Sequence, residues 1–309
     1  MNDWFKNLTG FEEKDFQTTK QHLKIQDKCL ISKVNQRRYF IGDFEVVSLD
    51  ELRKRVNKSH TSHHPSTVKV VQDDVRKLHI NKENNGALFQ VASQFNMLEM
   101  INQYVTKYDG VTGYMFDNTQ GPACAISCGA ATIYRNYFVD DIDGLEDVKS
   151  YLTRYIDLTE TFWNIKNGYA LCTDQGLKKI DNMSGDDVFK DEIRKRIKYG
   201  IHWNTQVTNT ECENVVAQIF CSALPVSYGI NSKYWETFAR IVLEAAYEAT
   251  LLTAKLNSKS NIVYLTYLGG GVFGNDIDWI KDAIAYAVHK TRHLGLDIRI
   301  VEYKRFKGL

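Results

Sequence analysis

At 309 residues, with 43% hydrophobic and 25% charged residues, the chain is long enough for one large or two modest globular domains with a real core. Thirty-nine basic against 38 acidic residues leave a net charge of +1, so bulk charge gives no strong nucleic-acid signal. No segment reaches the ~18 apolar residues of a membrane span, and the opening MNDWFKNLTGFEEKDF has no apolar run behind a basic head, so the expectation is a cytoplasmic protein without a membrane partner.

Residues 1–66 read as a small α+β module and linker. Asp15 to Leu23 suggests a short helix, Cys29–Val34 and Arg38–Phe44 suggest two strands around an Asn35-Gln36 turn, and SLDELRKRV from Ser48 suggests a capped helix. The polar run KSHTSHHPST carries His60, His63 and His64. Without an acidic or cysteine partner nearby it reads as a solvated linker, and no metal site is expected. Cysteines at 29, 124, 128, 172, 212 and 221 are scattered without metal-knuckle spacing and read as free thiols in a reducing compartment.

A core spanning 67–309 starts with TVKVVQDDV and ALFQVAS, two strands separated by the NKENNG turn. QFNMLEMINQYV has a helical period, and a polar loop, Tyr114 to Pro122, leads into a small-residue helix containing Cys124 and Cys128. Pro122 suits a first helical turn. From about 140 to 198 the chain is more polar. There GLEDVKSYLTRYIDLTETFW and DDVFKDEIRKRIKYG suggest helices of an insertion around the short apolar GYALC. ENVVAQIFCSALPVSY reads as a buried strand, and residues 234–256 as the longest amphipathic helix, with Phe238, Ile241, Val242, Ala245 and Ala249 on its covering face.

Ile262 to Leu268 is an apolar strand running into Gly269, Gly270 and Gly271, and a helix follows from about Asp278 to His293, before a last strand, LDIRIVEY. Strand, glycine loop and helix start together bring backbone N–H groups and partial positive charge to one place, which suits a phosphate or diphosphate; a plain tight turn would use the same glycines. Alternating strands and helices imply an α/β fold with a mixed or mostly parallel sheet.

On these residues the chain resembles the macro domain superfamily, including relatives that remove ADP-ribose from chains or proteins. A long helix precedes a strand ending in G-x-F-G, supplied here by Gly271, Phe273 and Gly274, and an opening strand ends near an acid, supplied by Asp74 with Val75 beside it. Gln94 and Asn96 stand where the superfamily has an asparagine-bearing strand end. The resemblance covers roughly 67–138 and 213–303, and it implies a three-layer, macro-like mixed sheet flanked by helices. The Gly-Gly-Gly-x-x-x-Gln-Glu-Glu signature of the chain-cleaving relatives is missing.

The resemblance implies a pocket for ADP-ribose or a related NAD-derived nucleotide, free or carried on an ADP-ribosylated macromolecule, and no cofactor. Asp74 would accept from adenine, Gly269, Gly270, Gly271, Val272, Phe273, Gly274 and Asn275 would cradle the diphosphate, and Phe273 would pack on the distal ribose. Cleavage at an anomeric carbon passes through an oxocarbenium-like state and needs a carboxylate or a positioned amide. Glu99 and Asp117 are the candidate carboxylates, with Asn96 and Gln120 orienting the substrate. The same residue types also serve as helix caps and exposed helical glutamates, and His202 and Gln206 read as structural. Two functions stay open: an ADP-ribosyl hydrolase, and a non-catalytic reader or sequestering receptor.

Overall fold

The computed structural model describes residues 3–58, 64–157 and 159–302. His60 and His63 lie outside this range, as does Tyr303 at the end of the expected last strand. Twelve strands follow in chain order: β1 (Leu23–Gln26), β2 (Cys29–Ser32), β3 (Arg38–Phe40), β4 (Asp43–Ser48), β5 (Thr67–Gln72), β6 (Leu88–Ala92), β7 (Trp163–Lys166), β8 (Tyr169–Cys172), β9 (Lys198–Gln206), β10 (Val215–Cys221), β11 (Ile262–Leu265) and β12 (Asp297–Glu302). Seven of them form one mixed sheet in the order β4-β9-β10-β6-β11-β12-β5. From β10 to β5 all neighbours are parallel, while β9 and β4 add antiparallel partners at one edge. The strand expected over Arg38–Phe44 is divided: β3 closes a small antiparallel sheet with β1 and β2, and β4 crosses to pair with β9.

Helices α1 (Trp4–Thr9), α2 (Phe16–Gln21), α3 (Leu49–Asn57), α4 (Val75–Ile80), α5 (Gln120–Ser127), α6 (Gly129–Phe138), α7 (Glu146–Tyr155), α8 (Asp174–Asp181), α9 (Asp187–Arg194), α10 (Trp235–Leu256) and α11 (Ile277–Thr291) complete the fold. Most starts are fixed by side chains. Ser48 Oγ accepts from Glu51 N–H at α3, and Asp276 accepts from Asp278 N–H at α11, satisfying donors that a helix start otherwise leaves open. Strand periodicity builds the layers. Leu88 of β6 packs in the cluster containing Phe238, Ile241, Val242, Ala245 and Ala249 of α10, whereas Phe89 and Val91 turn to Val75 and Leu78 of α4 and Cys124 of α5. Phe89, fully buried and stacked between His79 and Tyr264, contributes roughly 1.5–3 kcal/mol through that burial. The result is a large mixed sheet with helices on both faces, as expected.

Four local expectations are corrected. QFNMLEMINQYV forms turns, because Phe95, Met97 and Leu98 bury themselves in three different clusters rather than on one helix face. The small-residue helix is two helices, α5 and α6, parted at Cys128, whose backbone (φ −114°, ψ 53°) leaves the helical region. In the 140–198 region α7 stops at Tyr155 and Trp163 opens the β7–β8 hairpin; α9 stops at Arg194 and Lys198–Gly200 belong to β9. Finally, β11 ends at Leu265, since the Thr266 carbonyl is taken by the Tyr247 hydroxyl of α10 at 2.7 Å.

Candidate functional site

The carboxyl ends of β5, β6, β10 and β11 lie at one edge of the sheet, where open α/β folds place their ligands. Two cavities open there. One, of about 360 Å³, is bounded by Trp4, Asp73, Asp74, Val75, Arg76 and Ile126. The other, of about 200 Å³, is bounded by Gln94, Glu99, Tyr169, Gly269, Gly271 and Phe273. Asp117, Thr119, Gln120 and Thr266 border both, so the cavities share a wall and form one bent trough.

The glycine loop after β11 is held from below. Tyr247 Oη accepts from Leu268 N–H (2.9 Å), Gln90 Oε1 accepts from Thr266 N–H (3.2 Å), and Asn275 Nδ2 donates to Leu224 O (2.8 Å). Gly269 (φ +75°) and Gly274 (φ +69°) adopt left-handed backbone, and Phe273 O accepts from Ser227 N–H. These anchors leave a row of donors: the N–H groups of Gly271, Val272 and Phe273 have no acceptor among the described residues. Successive free N–H groups form an anion-binding concavity. Of the expected cradle, Gly269, Gly271, Val272 and Phe273 border the cavity; Gly270 packs toward Ile280, and Gly274 and Asn275 support the loop from behind. Phe273 meets Tyr169 and Tyr228 at centroid distances of 5.3 and 5.8 Å.

Across the trough, α5 is stapled to the end of β6. Gln120 Oε1 accepts from Ala92 N–H (2.8 Å) and its Nε2 donates to Gln90 O (2.7 Å), so this amide extends the strand and has no free atom left to orient a substrate. A Cβ on Gly121 would overlap the Ala92 carbonyl. Gln120 is therefore followed by Gly121 and Pro122, neither of which brings a carboxylate, in contrast to the Gln-Glu-Glu of the signature. Thr119 makes no side-chain cap, and the N–H groups of Gln120 and Gly121 also lack acceptors among the described residues. Asp117, half-buried on the shared wall, accepts from Thr119 N–H at 2.8 Å.

The remaining candidates fall in different places. Asp74 caps α4 and pairs with Arg76 at 2.6 Å; that hydrogen bond holds its carboxyl below the usual range, and the ionised group still borders the larger cavity beside Val75. Gln94 clasps Met100, accepting from its N–H (2.7 Å) and donating to its carbonyl (3.1 Å). Asn96 stands away from the trough, its Oδ1 accepting from Leu98 N–H. Glu99 borders the smaller cavity, but its side chain is 0% exposed and both oxygens lie 2.9 Å from Nη2 of Arg135. Burial dominates over that pairing and pushes its carboxyl up to about 7. His202 is buried, held well below the usual imidazole range by burial and then by Arg135, and borders neither cavity. Sequence reasoning missed Trp4, Tyr169 and Arg135, which belong to no local motif, and gave Thr266 no role although it lies in the strand expected before the glycine loop.

Among the described residues no helix is long and apolar enough to cross a membrane. No protein-family model and no curated protein matches the sequence. Solved structures do share the fold. The poly(ADP-ribose) glycohydrolase of Thermomonospora curvata is similar over 94% of this chain and 92% of its own, at 12% identity and TM-score 0.51. A point mutant of that enzyme matches over 94% and 91% at 11% identity and TM-score 0.50. The Deinococcus radiodurans poly(ADP-ribose) glycohydrolase in complex with ADP-ribose matches over 85% and 89% at 13% identity and TM-score 0.46. The architecture of this chain is thus macro-like.

Proposed function

We propose that this chain binds ADP-ribose or a related NAD-derived nucleotide along the bent trough. The base lies in the larger cavity with its amino group toward Asp74, and the diphosphate passes between the Gly271–Phe273 N–H row and the start of α5. The distal ribose rests against Phe273. The observation that carries this reading is the donor row: three successive unpaired N–H groups at a cavity wall, facing a second helix start whose donors are also open. Likeness to ADP-ribose-processing enzymes supports the ligand class.

Hydrolysis of an ADP-ribosyl linkage would fall to Asp117, the accessible carboxylate of the smaller cavity, with Glu99 as the second. Glu99 is closed off by Arg135, and α5 offers no glutamate. These two observations favour the second reading, a reader or receptor that holds the ligand, or an ADP-ribosylated macromolecule, without turnover. Calorimetric titration with ADP-ribose, NAD and AMP tests binding, and mass analysis of an ADP-ribosylated peptide incubated with the chain tests turnover. ADP-ribose bound in preference to AMP, with the peptide recovered still carrying its ADP-ribose, is the expected result; silence with all three nucleotides at millimolar concentration ends the proposal. Should cleavage occur, a Glu99→Gln, Asp117→Asn double variant abolishes it while binding persists.

A further inference from the structure

A cavity of about 270 Å³ opens beyond the 94–100 loop, and it shares no bordering residue with the trough. Asn96, Met97 and Leu98 face it, whereas Gln94, Glu99 and Met100 face the trough. Arg135 and Glu99 join the two sides as one ion pair. Arg135 is almost wholly buried, stacked with its Cζ 3.7 Å from the centre of the Phe220 ring. Its Nε donates to Met97 O and its Nη2 serves Glu99 and Thr132, which leaves Nη1 without an acceptor among the described residues. Arg135 borders this cavity, and its buried, unmatched guanidinium donor is costly unless something accepts from it.

The other polar groups there fit an acceptor-rich occupant. Asn96 Oδ1 is engaged by Leu98 N–H, so its amide nitrogen is open among the described residues. Lys107 borders the same cavity and pairs with Asp141 at the exposed rim, where Asp140 also stands. Because burial pushes Glu99 up to about 7, near neutrality the Arg135 charge is only partly matched.

We propose that this cavity is a site for a small oxyanion, phosphate or carboxylate, which accepts from Arg135 Nη1 and the Asn96 amide. Its occupation loosens the Arg135 hold on Glu99. That coupling alone rests on the reading of the trough as an ADP-ribose site; coupling between the sites is reciprocal, so each ligand changes the affinity of the other by the same factor.

The test uses Ile165, whose side chain borders the cavity and is 37% exposed, so that it accepts a charge without disturbing the core. Inorganic phosphate and, in a parallel arm, acetate are titrated by calorimetry into the full chain, the Ile165→Glu variant and the Ile165→Lys variant, each with and without saturating ADP-ribose. The expected result is binding of at least one anion that persists beside ADP-ribose and weakens about tenfold in Ile165→Glu, since one added like charge at close range is worth about 1.4 kcal/mol. Ile165→Lys should bind at least as well as the parent chain. The anion that behaves this way identifies the occupant as phosphate-like or carboxylate-like. No binding by either anion, equal binding by all three proteins, or displacement by ADP-ribose, which would place the anion on the glycine loop, overturns the proposal. If ADP-ribose itself does not bind, the Ile165 pair still decides the anion site, and only the reading of the trough fails.

Discussion

Two loops leave the carboxyl ends of the neighbouring parallel strands β6 and β11, and they treat their polar groups in opposite ways. On the side of the trough the loop after β6 answers its own needs: Gln94 clasps Met100 and Arg135 covers Glu99, while the Asn96 amide is left to the separate cavity beyond. The loop after β11 is anchored at both ends and leaves its middle N–H groups unanswered. Gly271 and Val272 are exposed, so solvent satisfies these N–H groups in the free protein, and an anion takes its place on donors already held in position. The first loop holds a shape; the second offers a surface.

Removing Arg135 should break this contrast most strongly. Arg135→Ala strands the Glu99 carboxyl in the interior and should cost on the order of 3–5 kcal/mol in denaturant unfolding. A loss under about 1 kcal/mol would mean the loop is not held by the pair. The same group sets a pH signature. With its folded value raised from 4.5 to about 7, Glu99 keeps a proton that the unfolded chain has lost, so its contribution to stability falls as pH rises across that window. His79, lowered by burial from 6.5 to about 4, acts oppositely and loses stability as pH falls. Glu99→Gln removes only the first of these effects, so it should gain on the parent chain by up to about 3 kcal/mol between pH 4.5 and 7, measured by unfolding at matched pH values.

Smaller changes sharpen the comparison. Gln94→Ala unpairs two groups of Met100 and should cost about 1–3 kcal/mol, with little effect on nucleotide affinity. Gly274→Ala places a side chain on left-handed backbone against Ser227 and should cost about 1–3 kcal/mol as well as affinity. Gly271→Ala has open space around its new carbon, so stability should stay within about 0.5 kcal/mol. Any loss of ADP-ribose affinity in that variant, read by calorimetry, comes from crowding the donor row alone.

The second loop was legible in the sequence and the first was not, for a physical reason. Gly269–Gly271 between an apolar run and a helical period specify a strand, a turn and a helix by local rules, as does the repeating apolar face of α10. In QFNMLEMINQYV the apolar residues imitate a helix, yet each is drawn to a different cluster, and nothing local records that competition. Asp74 was singled out by the resemblance, which places an acid after the opening strand, but it also caps α4 and Arg76 beside it changes what its carboxylate can offer. Arg135 could not be assigned from the sequence. It sits on a helix whose buried residues, Asn136 apart, otherwise read as small or apolar, and its partner lies 36 positions upstream.

The strand order also has a consequence for how the molecule comes into being. The β1–β3 sheet pairs residues close in sequence and can assemble as soon as Arg38–Phe40 has been made. By contrast β4 must wait for Lys198–Gln206, and β5, at the other edge, finds its only strand neighbour among the described residues in Asp297–Glu302. Until translation reaches that last strand, Val68 and Val70 sit on a strand without a ladder, and such open apolar edges invite pairing between nascent chains. The trough, which Val301 of β12 helps to border, is therefore complete only after that strand has paired, and its yield depends on how well the waiting edge is protected.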